Sequence, residues 1–161
     1  MLARVRIDDR TWEEAAEARR LEWQAAIREM LVPGEAVFRE DAEVLEITLT
    51  QQAVVLELRD ARGAALADVL LAHDLLADLI REYVDIVREL ARADARGGVS
   101  RLEALDMAKK VTHDKAGRLI ERRCRAFGID HPTARRLFSL ILALRVDTTR
   151  LHGVHGHRRI R

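Results

Sequence analysis

Residues 43–60, EVLEITLTQQAVVLELRD, contain the clearest structural signal in the sequence. Apolar and polar residues alternate on both sides of the glutamine pair at positions 51–52, which is typical of two half-buried strands joined by a short connection. We therefore expect a β-hairpin with one face in the core. Its predicted inward residues are Leu45, Ile47 and Leu49 in the first strand and Val54, Leu56 and Leu58 in the second.

Two further strands are predicted on either side of this hairpin. Upstream, ARVRID (residues 3–8) alternates Val5 and Ile7 with charged residues. Downstream, ARGA (61–64) predicts a turn, and ALADVLL (65–71) predicts a strand that returns along the hairpin. The four segments together predict a small antiparallel sheet, a meander with one face covered.

An N-terminal helix is predicted between the first strand and the hairpin. Thr11 and Glu14 have the spacing of a capping box, which indicates a helix start at this point. Pro33 and Gly34 are expected to end the helix. Its apolar positions recur at helical spacing and are Trp12, Ala16, Trp23, Ile27 and Met30.

Two long helices are predicted after the sheet. The first is expected to begin at Asp74 and to end before a polar, glycine-ended loop at 91–98. The second is expected to begin at Ser100, which has capping-box spacing with Glu103, and to run toward Gly128. The apolar seam of the first helix is predicted to be Leu76, Leu79, Tyr83, Ile86 and Leu90.

The last helix is predicted to begin at Asp130, with Pro132 in its first turn. Its segment 137–144, LFSLILAL, is apolar nearly all round, so we expect it to be the buried central helix. The predicted fold class is therefore α+β, with a small antiparallel sheet, an N-terminal helix and a C-terminal layer of three helices. We expect one domain over residues 1–146, followed by a basic tail, rich in histidine and arginine, at 147–161.

The composition excludes several protein classes. The 161 residues are 48% apolar and 34% charged, which is typical of a globular protein rather than a disordered one. No apolar run is long enough to span a bilayer, and the N-terminus lacks the apolar stretch of a signal peptide. The single cysteine, Cys124, has no partner for an internal disulfide. A reducing cytoplasm is the expected compartment, with no membrane partner.

The net charge of +1 conceals a division along the chain. Residues 1–97 contain 21 acidic and 13 basic residues, whereas residues 98–161 contain 6 and 15. Such asymmetry is found where the basic part binds an anionic partner. The simpler explanation is that the two parts neutralise each other, within one subunit or across a homodimer.

The segment SRLEALDMAKKVTHDKAG, residues 100–117, concentrates polar groups on one face of its helix. On a helical wheel, Glu103, Asp106, Lys110 and His113 fall on one narrow arc, and apolar residues occupy most of the rest. Two interpretations fit. The strip faces water, with an Asp106–Lys110 ion pair, or it lines a cleft in which Asp106 orients His113 as a base. No nucleophile elbow, zinc-binding helix or phosphate-binding glycine loop supports a catalytic assignment.

The same region resembles a known family. The matching features are EALDM at residues 103–107, His113, and TARRLF at 133–138, in the order and spacing of the uncharacterised bacterial protein family UPF0262. The resemblance covers about residues 3 to 146 and is most specific in the last third of the chain. It implies a short strand and a sheet in the N-terminal part, but it implies no reaction.

Three kinds of binding residue are candidates. Arg135 and Arg136, in the first turn of the last helix, oppose its macrodipole. Together with Lys110 they are candidates to bind an anion, unless acids of the N-terminal part, such as those in TWEEAAE, neutralise them. The tail could bind a metal or the phosphates of RNA or DNA, although nothing in it imposes a metal geometry or stacks bases. The metal candidates in the tail are His152, His155 and His157.

Three functions follow as hypotheses. The leading one is a bacterial cytoplasmic binding protein that is non-catalytic and forms a homodimer. The second is an electrostatic nucleic-acid binder that uses the basic C-terminal half, with Arg122, Arg123 and Arg125 extending its surface. The third is an enzyme centred on Asp106, His113 and an arginine. No cofactor is predicted in any of the three.

Overall fold

The computed structural model describes residues 1–151 and confirms the α+β class. One four-stranded sheet is ordered β1-β2-β3-β4, so neighbours in sequence are neighbours in space. The strands are β1 (Arg4–Ile7), β2 (Val44–Leu49), β3 (Ala53–Arg59) and β4 (Ala65–Ala72).

The sheet is mixed, whereas the sequence predicted a fully antiparallel one. The meander β2-β3-β4 is antiparallel as predicted, with Leu45 opposite Leu58 and Leu56 opposite Val69. Strand β1 instead lies parallel to β2, with Val5 opposite Leu45. Parallel neighbours need a long crossover connection, and the N-terminal helices provide it.

The N-terminal helix of the prediction is two helices. They are α1 (Asp9–Glu14) and α2 (Glu17–Leu31), with an extended break at residues 15–16. The capping residue is Asp8 rather than Thr11, because the Asp8 carboxylate accepts the Thr11 N–H at 3.1 Å. The same carboxylate also accepts the Leu49 N–H at 3.0 Å, so one side chain ties the helix start to β2.

The next two helices are longer than predicted. Helix α3 (His73–Arg96) continues through the segment expected to be a loop and ends at Gly97, whose φ of 74° suits glycine. Helix α4 (Val99–Arg123) follows after only two residues. Neither Asp74 nor Ser100 is a cap, since the N-cap positions are Ala72 and Gly98. Alanine at 91, 93 and 95 favours helix through this polar segment.

The last helices begin as the sequence indicated. After a 3₁₀ turn (Arg125–Phe127), Gly128 ends the turn and Asp130 caps α5 (His131–Arg145), accepting the Thr133 N–H at 2.9 Å. A short helix, α6 (Thr148–Leu151), ends the described part of the chain. The boundary proposed between residues 146 and 147 stays a prediction.

One continuous core joins the sheet to the helices. Helix α5 is its centre, as predicted, and most of its residues are buried. The Trp23 indole N–H of α2 donates to the Ala143 carbonyl at 2.8 Å, which fixes α2 against α5. The fully buried side chains include Leu45, Ile47, Leu56, Leu58, Leu71, Leu137, Phe138 and Leu140. Among residues 1–151, no helix combines the length and apolarity needed to cross a membrane.

Candidate functional site

The crossing of α4 over α5 brings the most polar residues of the chain together. Arg135 of α5 places its guanidinium 3.0 Å from the Nδ1 atom of His113 and 2.9 Å from the carboxylate of Asp114, both on α4. Ser139 and His131 complete what we call the histidine–arginine cluster: His113, Asp114, His131, Arg135 and Ser139. The sequence predicted an Arg135 partner in the N-terminal part, but the structure provides Asp114.

Hydrogen-bond donors and acceptors in this cluster can be assigned from Arg135. A guanidinium can only donate, so His113 Nδ1 accepts and its proton lies on Nε2. Nε2 then donates to the Ser139 hydroxyl oxygen at 3.1 Å, and that hydroxyl donates to the Arg135 carbonyl at 3.3 Å. The three residues therefore form a closed circuit of hydrogen bonds, which returns to Arg135 at its main-chain carbonyl.

The charge state of His113 follows from the same contacts. Burial, and then the positive charge of Arg135, lower the pKa of His113 from 6.5 to about 4. The imidazole is neutral at pH 7, and Arg135 occupies its one acceptor atom. To act as a base it would first have to break that hydrogen bond.

His131 occupies the other side of Asp114. Its Nε2 atom lies 3.4 Å from the Asp114 carboxylate, and its buried Nδ1 atom has no hydrogen-bond partner among residues 1–151, with Glu121 at 3.8 Å. The hydrogen bond from His131 lowers the pKa of Asp114, and the charge of Arg135 lowers it further. Asp114 is therefore ionised between two donors.

Gly117 permits this close helix crossing. A Cβ atom at this position would lie 2.7 Å from Arg135 Cγ and 3.0 Å from His131 Cε1. Both distances are shorter than ordinary van der Waals contacts, so only glycine lets α4 approach α5 this closely. Nothing in the sequence indicates this role, because glycine within a helix is otherwise only mildly unfavourable.

The second predicted arginine has a separate partner. Arg136 lies 2.7 Å from the carboxylate of Glu35, which is in the N-terminal part as expected, although outside the TWEEAAE segment. A cleft of about 660 Å³ lies between this pair and the histidine–arginine cluster. Both arginines already have carboxylate partners there, so an anion would have to displace them.

The residues of the predicted polar strip of α4 have different partners in the structure. Asp106 forms an ion pair with Lys110 at 3.2 Å, which was the first of the two interpretations, and it makes no hydrogen bond to His113. The apolar residues that the wheel places around this strip are not all buried, since Met107 and Val111 are 61% and 45% exposed. The helix packs mainly through its second half.

The metal candidates are untested. His152, His155 and His157 lie outside the described residues. Within residues 1–151, no three histidine, cysteine, aspartate or glutamate side chains are grouped to hold a metal ion. Cys124 is buried, and burial raises the pKa of its thiol to about 12, so its three arginine neighbours in sequence do not activate it.

A second concavity, which the sequence did not indicate, lies on the other side of Ser139. Its volume is about 700 Å³, and residues of α2, α3, α4, α5 and α6 line it. The lining is mainly apolar: Ala25, Ala26, Val87, Leu90, Ala91, Leu102, Leu142, Ala143 and Leu151. Tyr83 lies at its end, packed edge-on against Phe138, and its hydroxyl makes no hydrogen bond within residues 1–151.

Carboxylates predominate among the charged residues of this concavity. They outnumber cations by four to one, since Glu22, Glu29, Asp94 and Asp106 line it together with Lys109. We call it the acid-edged groove. The helical spacing at Tyr83 and Leu90 indicated an apolar seam, but Leu90 lies in the groove rather than in the core.

The second half of α4 and the 3₁₀ turn present a basic surface on the outside of the molecule. It consists of Lys115, Arg118, Arg122, Arg123 and Arg125, all exposed. None of these five forms an ion pair with a carboxylate of residues 1–151. Three of them were predicted to extend a basic surface.

Comparison with known sequences decides the family. The sequence model of the uncharacterised protein family UPF0262 matches residues 1–147. The chain belongs to UPF0262. The family predicted from EALDM, His113 and TARRLF is thereby confirmed.

Bacterial relatives named UPF0262 protein align over much of the chain. The protein from Acidiphilium cryptum is 31% identical over 102 residues, 63% of each chain, so the alignment spans just under two thirds of that relative. The Cereibacter sphaeroides protein is 28% identical over 73% of this chain and 72% of its own, and the Hyphomonas neptunium protein is 30% identical over 68% of each. No solved structure matches.

The structure explains why two of the UPF0262 segments occur together. Phe138 of TARRLF packs against His113, with ring centroids 5.4 Å apart, and Arg135 bonds to the same imidazole. Thr133 is fully buried and accepts the Val37 N–H at 2.8 Å. These residues join α4, α5 and the loop before β2, which is a structural role.

Proposed function

We propose that this protein is a non-catalytic binding protein whose acid-edged groove receives an apolar, positively charged segment of a partner protein, and that it works as a homodimer. The observation that supports the groove is its combination of open apolar lining and excess carboxylate. A volume of about 700 Å³ is also in the usual range of ligand sites.

The dimensions of the groove favour a helical occupant. Its lining runs along α3 from Tyr83 to Asp94, about 16 Å at 1.5 Å per residue. That length matches three turns of an amphipathic helix, whose apolar face would cover Val87 and Leu90. Basic side chains beside that face would meet the carboxylates of the edge, and the hydroxyl of Tyr83 offers a hydrogen bond at one end.

Catalysis and anion binding have weaker support. The neutral imidazole of His113 bonds to Arg135 rather than to Asp106, so the predicted acid–base pair is not assembled. Arg135, Arg136 and Lys110 all have carboxylate partners. We infer that the histidine–arginine cluster stabilises the crossing of α4 and α5.

The test of the groove uses two designed helical peptides. Each has about 15 residues, near the shortest length at which isolated helices form, with leucine on one face. One carries lysine beside that face and the other glutamate. Fluorescence anisotropy with the full chain should show the lysine peptide binding at least about tenfold more tightly, a difference of about 1.4 kcal/mol.

Matched variants locate the binding. Ala25→Trp fills the groove, whereas Gln24→Trp adds the same side chain to the same exposed helix outside the lining. Asp106→Lys reverses a charge on the edge, and Glu103→Lys does so one turn away. The first member of each pair should weaken binding by about tenfold and the second should not. Equal effects within both pairs, or equal affinity for the two peptides, would contradict the groove proposal.

The homodimer rests on the division of charge. Residues 1–97 are acidic and residues 98–161 basic, so two copies can attract each other where unlike parts meet. Light scattering at micromolar concentration should give twice the 18.3 kDa of one chain. A single-chain mass at every concentration would contradict the dimer. We place the protein in the cytoplasm, where a buried unpaired cysteine such as Cys124 stays reduced.

A nucleic-acid binder is the second candidate, because the basic surface of α4 and the 3₁₀ turn has five exposed cations that form no ion pair within residues 1–151. It predicts affinity for RNA or DNA that falls steeply with salt. Arg118→Glu with Arg122→Glu should weaken binding and reduce the salt dependence, and deletion of residues 147–161 should measure the share of the tail. No gel shift at low salt would remove this candidate.

A further inference from the structure

Strand β4 forms an edge of the sheet and is paired on one side only. It runs for eight residues, Ala65–Ala72, and its partner is β3. The opposite edge, β1, is only four residues long. The two edges therefore offer very different lengths for pairing with another strand.

The backbone of β4 offers a row of free hydrogen-bonding groups. The His73 N–H donates to the Gln52 carbonyl at 2.9 Å, which identifies that pair as hydrogen-bonded. Because hydrogen-bonded pairs alternate along an antiparallel ladder, Leu71 and Val69 also bond to β3. The N–H and C=O groups of Leu70 and Asp68 then point away from the sheet, and none of them has a partner within residues 1–151.

The side chains of β4 leave apolar surface uncovered on both faces. On the outer face, the side chain of Leu70 is 63% exposed, opposite Val55. On the inner face, Val69 is only half-buried, whereas Leu56, its neighbour in β3, is fully buried. A further strand beside β4 would cover both surfaces.

Strand β4 has few of the features that keep sheet edges from pairing, and its β-bulge lies at the Ala65 end. Soluble proteins protect edges with short strands, prolines and charged side chains, especially lysine. The short β1 edge follows this pattern, with Arg4 and Arg6. The β4 segment ALADVLLA has no proline and no basic residue, and Asp68 is its one charge.

We propose that β4 pairs with β4 of a second copy of this chain, antiparallel across a two-fold axis beside Val69. The proposal rests on the homodimer proposed above, but it places the interface at the apolar edge of β4, where like parts of the two chains meet, rather than where unlike charges attract. This register uses the regular part of the strand beyond the bulge, with Asp68 opposite the partner's Leu70 and Ala67 opposite the partner's Leu71. It also keeps the two Asp68 carboxylates from facing each other directly, and the two sheets become one.

A second copy fits this edge better than an unrelated strand does. A two-fold axis makes one patch meet itself, so a single exposed leucine and one free backbone row serve both partners. The same axis brings each half-buried Val69 beside the partner's Val69 on the inner face. Pairing by a foreign strand is then an outcome of the test rather than the proposal.

Sedimentation of the full chain over a range of concentrations tests this interface with three variants. Leu70→Pro removes an outward N–H and leaves the bonds to β3, since proline is tolerated where the N–H faces solvent. Leu70→Thr keeps the N–H and removes only the exposed leucine. Leu21→Lys removes a comparable leucine, 57% exposed, on α2.

Leu70→Pro should raise the dimer dissociation constant by at least about tenfold, Leu70→Thr by less, and Leu21→Lys should leave it unchanged. A dimer that survives Leu70→Pro overturns the β4 interface while the homodimer stands. A monomer in the wild-type protein overturns both. A wild-type β4 that pairs only with strands of other proteins overturns the β4 interface.

Hydrogen exchange of the wild-type protein provides a measurement that needs no variant. The amides of Asp68 and Leu70 should exchange more slowly as protein concentration rises, because pairing buries them. Those of Val5 and Ile7, which point outward at the other edge, should not change. Exchange of the β4 amides that is independent of concentration, in a sample that is dimeric, would overturn the assignment even if Leu70→Pro failed to fold.

Discussion

The histidine–arginine cluster and the acid-edged groove share Ser139 as a wall, yet their surfaces differ in kind. In the cluster, Arg135, His113 and Ser139 bond to one another, and Asp114 is held between two donors. In the groove, Leu90 and Leu102 face an open space edged by carboxylates. The polar groups of the cluster bond to one another, whereas the groove leaves an apolar surface open.

This difference shows where to look for function in a chain without a recognisable motif. The cluster contains the residues that attract attention in a sequence, but its closed hydrogen-bond circuit leaves little capacity for a ligand. The groove is built mainly from alanine, leucine and valine, which give no functional signal in a sequence. Uncovered apolar surface costs free energy in water, so a partner that covers it gains affinity.

The largest expected effect tests whether the cluster is structural. Gly117→Val should reduce the free energy of unfolding by about 2–3 kcal/mol, because its Cβ would clash with Arg135 and His131. Urea denaturation measures the change. Gly98→Ala is the control, since its Cβ would lie at an ordinary 3.7 Å from Arg101. A Gly117→Val protein of unchanged stability would mean that α4 and α5 separate readily and that the cluster is adjustable.

The next effect is a pH dependence carried by His113. The folded protein holds the pKa of this imidazole at about 4 against 6.5 in the unfolded chain, so the unfolded state binds the proton first as pH falls. This contribution to stability is complete above pH 6.5 and is lost between pH 6.5 and 4. Because the ring is only half-buried, we expect a loss on the order of 1–2 kcal/mol.

His113→Gln should flatten that pH dependence. Urea denaturation at pH 7 and at pH 4.5 gives the slope for the wild-type protein and the variant. His73→Gln serves as the control, because His73 is bound to the Thr50 carbonyl at 2.8 Å, at the start of α3 and outside the cluster. Equal slopes for His113→Gln and the wild-type protein would show that His113 titrates normally and that its circuit with Arg135 is open.

The smallest effect on stability is expected in the groove. Leu102→Ser should change the free energy of unfolding by less than about 1 kcal/mol, because this side chain is already partly exposed. Leu137→Ala, in the core of α5, should cost about 2–5 kcal/mol. The lysine peptide should nevertheless bind less tightly to Leu102→Ser. A large loss of stability instead would make the groove wall part of the core and break the contrast with the cluster.

The sequence predicted elements wherever the pattern was local. Alternation identified three strands, the ARGA turn indicated the fourth, and the near-continuous apolar character of LFSLILAL identified the central helix. The helix start at Asp130 was predicted with Pro132 beside it, and in the structure Asp130 accepts the Thr133 N–H. Helix starts without a side-chain cap, at Ala72 and Gly98, had no such signal and were misplaced.

Tertiary structure decided the relations between distant segments. Whether β1 runs parallel or antiparallel to β2 depends on the path of the helices between them, which alternation does not encode. On α4, the helical wheel placed Asp106 and His113 on one strip. In the structure, His113 bonds to Arg135 of α5, whereas Asp106 lines the groove. The sequence by itself determined the α+β class, the family and the charge division, because these depend on local pattern and composition. The closed cluster, the open groove and the free β4 edge depend on which faces meet, and only the packed chain settles that.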